Sequence, residues 1–336
     1  MVSIHTGHGV AHGPWTIKAV GAFTPPAVVH NAEIEDRLGL DSGWIENRTG
    51  IRERRHADPG TAAEDLAVPA ARRALAAAGV TAERLGGLVF ATSSPSRVVP
   101  GLGYLLQHRL GASRATVLDV NTGCSGFLHA VHLACTLGTA GQFDGPVLVV
   151  GAECFSPYLD PYDRATSVLF GDGAGAAVLG PGPGGSAVLC SALGSDGFTE
   201  RGAWIRLGGK GPGGATVHMD GRFVADYVRG TFGRAAQVVL DHAGSSLDEV
   251  DLVVFHQANV ALLRQVAAEY GIPTERVPLS GDRYGNTGAA SIPLTLDLHR
   301  HRLTPGAQVL LFALGGGMNW AGTLVRIGEP TPGSRP

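Results

Sequence analysis

Charged residues are scarce in this chain of 336 residues, and lysine is almost missing. Charged side chains make up 16% of the sequence, against about 25% in typical soluble domains. Lys18 and Lys210 are the two lysines, and the formal net charge is −3. Such a balance offers no positive surface for the phosphates of a nucleic acid. We therefore expect no nucleic-acid partner, and we expect a second copy of the chain to cover part of the apolar surface.

Long apolar runs and paired cysteines are also missing. No stretch of 18 apolar residues occurs, and the first residues lack the basic and then apolar regions of a secretory signal. We therefore expect no membrane partner. The four cysteines (124, 135, 154 and 190) are too few for a disulfide framework in a chain of this length. A reducing, cytoplasmic location is the simpler prediction.

The two ends of the chain are polar and rich in turn-forming residues. We predict a disordered leader over residues 1–14 and a disordered tail over residues 329–336. His5, His8 and His12 lie in the leader. A metal site needs fixed geometry, so we predict that these histidines hold no metal.

Glycine is abundant, at 50 residues, and a shift of the sequence by 165 positions reveals a duplication. Three kinds of segment coincide at this offset. They are a helix that ends in Ala-Gly (70–79 with 235–244), an apolar strand with a polar loop (88–94 with 253–259), and an Asn-Thr-Gly turn (121–123 with 286–288). The sequence therefore predicts two similar α/β halves, residues 15–180 and 181–328, joined at a Pro-Gly-Pro-Gly-Gly segment.

Each half shows the same predicted order of elements: helix, strand, helix, strand, Asn-Thr-Gly turn, helix, strand. In the second half, this order includes a strand over 276–279 and a helix over 289–302. Strands that alternate with helices favour mainly parallel sheets with helices on both faces. Two such halves packed together predict a layered αβαβα block.

Two positions break the symmetry of the duplication. Cys124 follows the first Asn-Thr-Gly turn, where the second half has Ala289, and His256 ends a strand where the first half has Ala91. The carboxyl ends of strands are where open α/β sheets bind ligands. Cys124 has small neighbours and lies in the first turn of a predicted helix, so we expect an exposed nucleophile whose thiol pKa is lowered by the helix dipole. The other three cysteines are expected to be core residues.

Asn286, in the second Asn-Thr-Gly turn, is a third candidate. A lone histidine or a turn asparagine is usually structural. Together with Cys124, however, His256 and Asn286 lie on three comparable loops. This combination predicts a thiolate nucleophile with two neutral hydrogen-bond donors beside it.

These residues resemble the β-ketoacyl-acyl carrier protein synthase III branch of the thiolase superfamily, over about residues 15–327. The motifs that carry the resemblance are GCSGF around Cys124, HQAN at 256–259, FGDGAGAAVL at 170–179, GNTGAAS at 285–291 and GGGMNW at 315–320. The resemblance implies a thiolase-like, five-layered αβαβα fold with two duplicated halves.

The resemblance also implies a reaction in two steps. An acyl-CoA acylates Cys124, while the backbone N–H groups of Cys124 and Gly316 hold the thioester oxyanion. His256 and Asn286 then donate to malonyl-acyl carrier protein as it loses carbon dioxide, and the carbanion attacks the acyl-cysteine. The implied substrates are CoA thioesters and a carrier protein, the enzyme is a homodimer, and neither cofactor nor metal is required.

The binding residues follow from the same resemblance. Trp44, Arg48 and Arg164 match residues that contact CoA, and Asn259 is expected to line the pantetheine channel. Arg222 is a further binding candidate, at a place where a neutral asparagine is common. Ala261 and Asp226 replace basic residues found in many members, which leaves the identity of the carrier protein open.

The loop 94–100 is expected to reach the acyl pocket of the partner subunit. Val99 stands there in place of a frequent phenylalanine, so we predict a starter longer than acetyl or branched. Arg97 either pairs with a carboxylated starter or faces solvent, and the solvent-facing position is the simpler interpretation.

Two alternatives to condensation remain open from the sequence. The first is a transfer of the acyl group from Cys124 to a hydroxyl, an amine or a carrier thiol without loss of carbon dioxide. The second is a non-catalytic partner subunit, against which the presence of Cys124 argues. Whether a condensing enzyme would serve fatty-acid initiation or a polyketide starter step also stays open.

Overall fold

A computed structural model describes residues 8–13, 15–197, 201–208 and 214–329. Fourteen strands are found within these ranges. They are β1 Gly9–Ala11, β2 Trp15–Phe23, β3 Val28–His30, β4 Glu53–Arg55, β5 Gly87–Ala91, β6 Thr116–Val120, β7 Val147–Glu153, β8 Gly173–Pro181, β9 Ser186–Ser195, β10 Ala203–Leu207, β11 Ala215–Met219, β12 Leu252–Phe255, β13 Gln308–Gly315 and β14 Asn319–Arg326.

Nine α-helices lie in the same described ranges. They are α1 Asn31–Leu38, α2 Trp44–Thr49, α3 Ala63–Ala78, α4 Leu102–Leu110, α5 Gly126–Thr139, α6 Gly221–Ala243, α7 Val260–Glu269, α8 Gly281–Tyr284 and α9 Ser291–Leu298.

Ten of the strands form one sheet with two sectors, whereas β3 pairs with β4 and β10 pairs with β11 in separate two-stranded sheets. Each sector comes mainly from one half of the chain. The first has the order β6-β5-β7-β8-β2, and the second has the order β9-β14-β13-β12, with β1 added to β9. A short antiparallel pairing of Thr16 with Ala187 and Ile17 with Ser186 joins the sectors. The pairs β5–β6, β5–β7 and β12–β13 are parallel, whereas the other pairs of this sheet are antiparallel. The prediction of mainly parallel sheets is therefore wrong. Within the described residues, no crossover helix separates β7 from β8 or β13 from β14, so each of these consecutive pairs is antiparallel.

The layers follow from the alternation of side chains along the strands. Val89 and Val149 point inward to a core that they share with α5, α9 and the inner face of the second sector. Their neighbours Phe90 and Val150 point outward to a second core under α3 and α4. A third core lies between the second sector and the helices α6 and α7. The fold is thus the predicted αβαβα block, with α5 and α9 in the middle layer.

The duplication is visible at the level of single residues. The helices α3 and α6 end 165 positions apart, and their capping residues Gly79 and Gly244 both have a φ of 64°. The 3-10 turns Gly123–Ser125 and Gly288–Ala290 are separated by the same offset. Glycine suits all four positions because it adopts positive φ without steric cost.

Two local predictions are wrong. Residues 276–279 form no strand: a 3-10 turn ends at Arg276, and an irregular segment follows in which Pro278 lacks the N–H that a ladder requires. The leader is ordered over residues 9–11, because β1 pairs with β9. His12 is buried there, and its Nε2 lies 2.5 Å from Ser191 Oγ. Residues 1–7, 14 and 330–336 of the predicted disordered ends lie outside the described residues, as does Lys210.

Candidate active site

The two Asn-Thr-Gly turns meet at the centre of the molecule. Gly123 has a φ of 59° and Gly288 a φ of 52°, and each begins a 3-10 turn that leads into a middle-layer helix, α5 or α9. The two 3-10 turns pack against each other. The duplication therefore brings the nucleophile candidate of the first half next to Asn286 of the second.

Cys124 lies in the 3-10 turn before α5, and not in the first turn of an α-helix as predicted. Burial raises the pKa of its thiol to about 12, and the nearby charge of Glu153 adds to the effect. The hydrogen bond from the backbone lowers the pKa by less. The predicted lowering of the thiol pKa is therefore wrong, because desolvation of the thiolate outweighs the backbone dipoles.

His256 follows β12 and is buried. Its Nδ1 lies 2.7 Å from the Oγ atom of Ser291, the first residue of α9. Burial lowers the pKa of His256 to about 4, although a hydrogen bond with the Gly288 backbone acts in the opposite direction. The imidazole is therefore neutral at pH 7, as the sequence predicted.

Asn286 is fixed on both sides by backbone hydrogen bonds. Its N–H donates to the Leu169 carbonyl oxygen at 2.8 Å, and its own carbonyl oxygen accepts from the Gly171 N–H at 3.0 Å. The side-chain Oδ1 accepts from the Gly288 N–H at 2.9 Å. With Oδ1 occupied in this way, the side-chain NH₂ group is the donor that remains for a substrate.

Cys124, His256, Asn286 and Gly316 line one cavity of about 600 Å³, a volume that includes space open to solvent. The rest of its wall is largely apolar and includes residues from α6 and α7. A dry wall with a few converging donors strengthens electrostatic interactions inside the cavity.

The backbone of Gly316 is held tightly beside the nucleophile. A Cβ atom on Gly123 would lie 2.9 Å from Gly316 N, so glycine is required at position 123 by close approach as well as by its φ. Asn319 fixes this contact, because its Nδ2 donates to Gly316 O at 2.7 Å and its Oδ1 accepts from Ser125 Oγ. Sequence reasoning did not assign a role to Asn319, although it lies in the GGGMNW motif.

A second and larger cavity also reaches Cys124. It encloses about 1960 Å³ of space open to solvent and is lined by the loop after β5, including Pro95, Arg97 and Val98. Val99 does not line it within this chain and is 83% exposed. Cys124 therefore lies where two cavities meet.

The residues predicted to bind CoA divide into two groups. The guanidinium carbons of Arg48 and Arg164 lie 4.8 and 5.2 Å from the ring centroid of Trp44, so these three residues form one cluster. Asn259 instead caps α7, where its Oδ1 accepts from the Leu262 N–H at 3.0 Å, and it does not line the first cavity. Arg222 is exposed in the first turn of α6.

Two buried side chains near the site were missed by sequence reasoning. Ser291 contacts His256, and Glu153 ends β7 with no exposed surface. Burial raises the pKa of Glu153 to about 7. The sequence does contain an indication of Glu153. A carboxylate directly follows the apolar residues Val-Leu-Val-Val-Gly-Ala of β7, at the sheet edge where ligands bind.

Within the described ranges, no group of three or more His, Cys, Asp or Glu side chains is placed to hold a metal ion. None of the helices described has both the length and the apolar character needed to cross a membrane.

Comparisons with known proteins match most of the chain to one family. Residues 118–197 match the family model of 3-oxoacyl-[acyl-carrier-protein (ACP)] synthase III, and residues 240–327 match the model of its C-terminal part. A β-ketoacyl-[acyl-carrier-protein] synthase III of Bordetella petrii is 41% identical over 323 residues, which are 93% of this chain and 97% of that relative.

Two further proteins are similar over nearly the whole chain. A 3-oxopimeloyl-[acyl-carrier-protein] synthase of Rhodothermus marinus is 40% identical over 320 residues, covering 92% of this chain and 93% of the relative. The crystal structure of the priming β-ketosynthase from the R1128 polyketide biosynthetic pathway superposes with a TM-score of 0.87 at 32% identity, covering 94% of this chain and 97% of that one.

Proposed function

Because this chain belongs to the 3-oxoacyl-[acyl-carrier-protein] synthase III family and is a condensing enzyme of that class, we propose that it joins an acyl group on Cys124 to a malonyl unit on an acyl carrier protein. The observation that carries this proposal is the single cavity lined by Cys124, His256, Asn286 and Gly316. The pathway is proposed to be fatty-acid initiation or a polyketide starter step.

The first step is the acylation of Cys124 by an acyl-CoA. The sulfur attacks the thioester carbonyl, the bond from carbon to the CoA sulfur breaks, and the thiol proton passes to the departing CoA. The backbone N–H groups of Cys124 and Gly316 are proposed to bind the oxyanion. Such donors, when fixed in advance, stabilise the charge as it develops.

The second step needs donors and no base. Malonyl-carrier protein loses carbon dioxide, and the electron pair of the broken bond forms an enolate, whose oxygen is proposed to accept hydrogen bonds from His256 and Asn286. The enolate carbon then attacks the acyl carbonyl, the bond to the Cys124 sulfur breaks, and that sulfur takes up a proton from solvent. A histidine with a pKa near 4 suits this role because it stays neutral and keeps its N–H.

The cluster of Trp44, Arg48 and Arg164 is proposed to bind CoA. A flat indole with two guanidinium groups offers stacking and positive charge to an adenine that bears phosphates. Asn259 and Arg222 remain candidates for contacts with the pantetheine arm and with the carrier protein.

The starter is proposed to occupy the larger cavity beside Cys124. Val99 is small, and its loop is proposed to reach the acyl pocket of the partner subunit, which supports a starter longer than acetyl or branched. The name of the Rhodothermus marinus relative indicates a product with a second carboxylate, and Arg97 lines the cavity in this chain. A carboxylated starter therefore belongs among the substrates tested.

A homodimer in the cytoplasm is proposed as the working form. Val98, Val99 and Tyr104 are large apolar side chains with exposed surface, and Val98 lines the larger cavity. This exposed apolar surface supports coverage by a second copy. The four cysteines are all free thiols, which supports a reducing compartment.

The test is intact-mass analysis after incubation with a panel of acyl-CoAs, with Cys124→Ala as the control. We expect a mass increase equal to the acyl group in the parent enzyme and none in the variant. Strict preference for acetyl-CoA would contradict the starter proposal. A mass increase that persists in Cys124→Ala, or none with any acyl-CoA, would contradict the catalytic proposal and favour a non-catalytic subunit.

Release of carbon dioxide separates condensation from simple acyl transfer. With malonyl-carrier protein, we expect the acylated enzyme to release one carbon dioxide for each β-ketoacyl product formed. Transfer of the acyl group with no carbon dioxide released would establish the acyltransferase alternative.

A further inference from the structure

The duplication gives the molecule a second copy of the backbone turn that carries Cys124. Ala289 is the counterpart of Cys124, at an offset of 165 residues. In the first half, the backbone N–H of Cys124 is proposed to bind the oxygen of a substrate. In the second half, the backbone N–H of Ala289 lies close enough to the carboxyl group of Glu153 to act toward a lower pKa of that group, against the larger effect of burial. A protein carboxylate thus takes the anion position in the second copy.

Glu153 is in direct contact with this second turn. A Cβ atom built on Gly288 would lie 2.9 Å from Glu153 Cγ, so the side chain packs against the turn backbone. Gly288 in turn positions both donors of the proposed condensation step, because its N–H binds Asn286 Oδ1 and its backbone also binds His256. A displacement of the turn therefore moves both donors.

The other side of the Glu153 carboxylate binds the loop after β5. The Ser93 N–H donates at 3.1 Å, Ser93 Oγ donates at 2.9 Å, and Ser94 Oγ donates at 2.6 Å. The same loop lines the larger cavity beside Cys124. Glu153 is therefore the link between the loop of the starter cavity and the turn that holds the two donors.

The charge of Glu153 is not neutralised by the ionisable groups that face it. Cys124, Cys154 and Tyr158 interact with it electrostatically, and none of these carries positive charge. The carboxylate is also completely buried. A negative charge in this position opposes the formation of a thiolate on Cys124.

We propose that Glu153 is a positioning residue that holds the 288–290 turn in place for decarboxylation. The proposal rests on the proposed function of the site. It assigns to one residue an effect on decarboxylation that the attack by Cys124 does not share.

The test compares Glu153→Gln with Glu64→Gln. Glu64 is a matched control because its buried carboxylate accepts a hydrogen bond from the same loop, from Ser96 Oγ at 2.6 Å. Two rates are measured at pH 8, namely alkylation of Cys124 by iodoacetamide and release of carbon dioxide from malonyl-carrier protein by the enzyme already acylated. For Glu153→Gln we expect decarboxylation about tenfold slower, a change corresponding to about 1.4 kcal/mol, and alkylation that is not slowed. For Glu64→Gln we expect the two rates to change in the same direction, if at all.

Two outcomes overturn the proposal. In the first, both rates fall together in Glu153→Gln, as a purely structural role would require. In the second, both rates equal those of the parent enzyme. If Glu153→Gln does not fold, Ser93→Ala removes one hydrogen bond to the carboxylate. That variant is expected to slow decarboxylation about threefold without slowing alkylation, and a loss of both rates overturns the proposal in the same way.

The same experiment separates this proposal from the proposed function. If the parent enzyme is not acylated, or releases no carbon dioxide, the proposed function fails before any variant is compared. If the parent enzyme performs both steps and the two variants behave alike, only the role of Glu153 fails.

Discussion

Gly123→Ala is the most direct test of the proposed oxyanion hole. Gly123 has a φ of 59°, and a Cβ atom at this position would lie 2.9 Å from the backbone N of Gly316. Two separate costs follow. An alanine in the left-handed region loses about 1–2 kcal/mol, and the methyl group forces Gly316 N away from the turn that holds Cys124. The first cost lowers stability, and the second removes an oxyanion donor.

The expected size of each effect follows from these contacts. Loss of one oxyanion donor lowers the rate about 10²–10³-fold, so we expect acylation of Cys124 to slow by about that factor. A loss of 1 kcal/mol lowers Tm by about 2 °C in a chain of this size. Acylation is followed by intact mass at timed intervals after mixing with acyl-CoA, and Tm by calorimetry.

Gly79→Ala is the matched control. Gly79 has a φ of 64°, and a Cβ atom there would have no neighbour within 4 Å. This variant therefore carries the backbone strain without any contact, and we expect it to lose about 1 kcal/mol of stability and no acylation rate. If Gly123→Ala is acylated within threefold of Gly79→Ala, Gly316 N does not serve as an oxyanion donor in the way proposed.

Three further predictions concern binding, positioning and pH. Trp44→Ala is expected to raise KM for acyl-CoA about tenfold with kcat nearly unchanged, because Arg164 loses the ring that it packs on. Steady-state kinetics measure both constants, and a fall in kcat alone would contradict this prediction. Ser291→Ala is expected to slow carbon dioxide release about fivefold and to leave Cys124 acylation unchanged, since the hydrogen bond to His256 is worth about 1 kcal/mol. In the folded state, the pKa of Glu153 is raised from 4.5 to about 7. Between pH 4.5 and pH 7 the folded state therefore binds more protons than the unfolded state. Stability should therefore fall by about 3 kcal/mol as pH rises from 4.5 to 7, and urea unfolding of Glu153→Gln should lack this contribution.

The sequence was most informative where the backbone itself determines the structure. The two Asn-Thr-Gly turns each have a glycine of positive φ. Because the Asn-Thr-Gly sequence occurs twice at the offset of 165 residues, the sequence predicted both of the turns that meet at the site. The amphipathic helix before Gly79 was likewise predictable, because periodicity and a glycine cap are local signals.

Properties that depend on distant residues could not be predicted in the same way. The first turn of a helix suggests a low thiol pKa, but burial and Glu153 reverse the direction for Cys124, and neither is local to it. Residues 276–279 are apolar enough for a strand, and short apolar runs have no periodicity that separates a strand from an irregular buried segment. His12 is ordered through contacts with Ser191 and His132, which lie far along the chain.

The middle layer has a consequence for how such an enzyme can change during evolution. The helix α5 begins beside Cys124 and α9 begins with Ser291, the partner of His256, and both helices share one core with strands of both sectors. A substitution that repacks this layer therefore disturbs both half-reactions at once. The loop of Arg97, Val98 and Val99 is exposed and takes no part in that core. Under the proposed function, changes in this loop alter the choice of starter, while the shared layer keeps the chemistry constant.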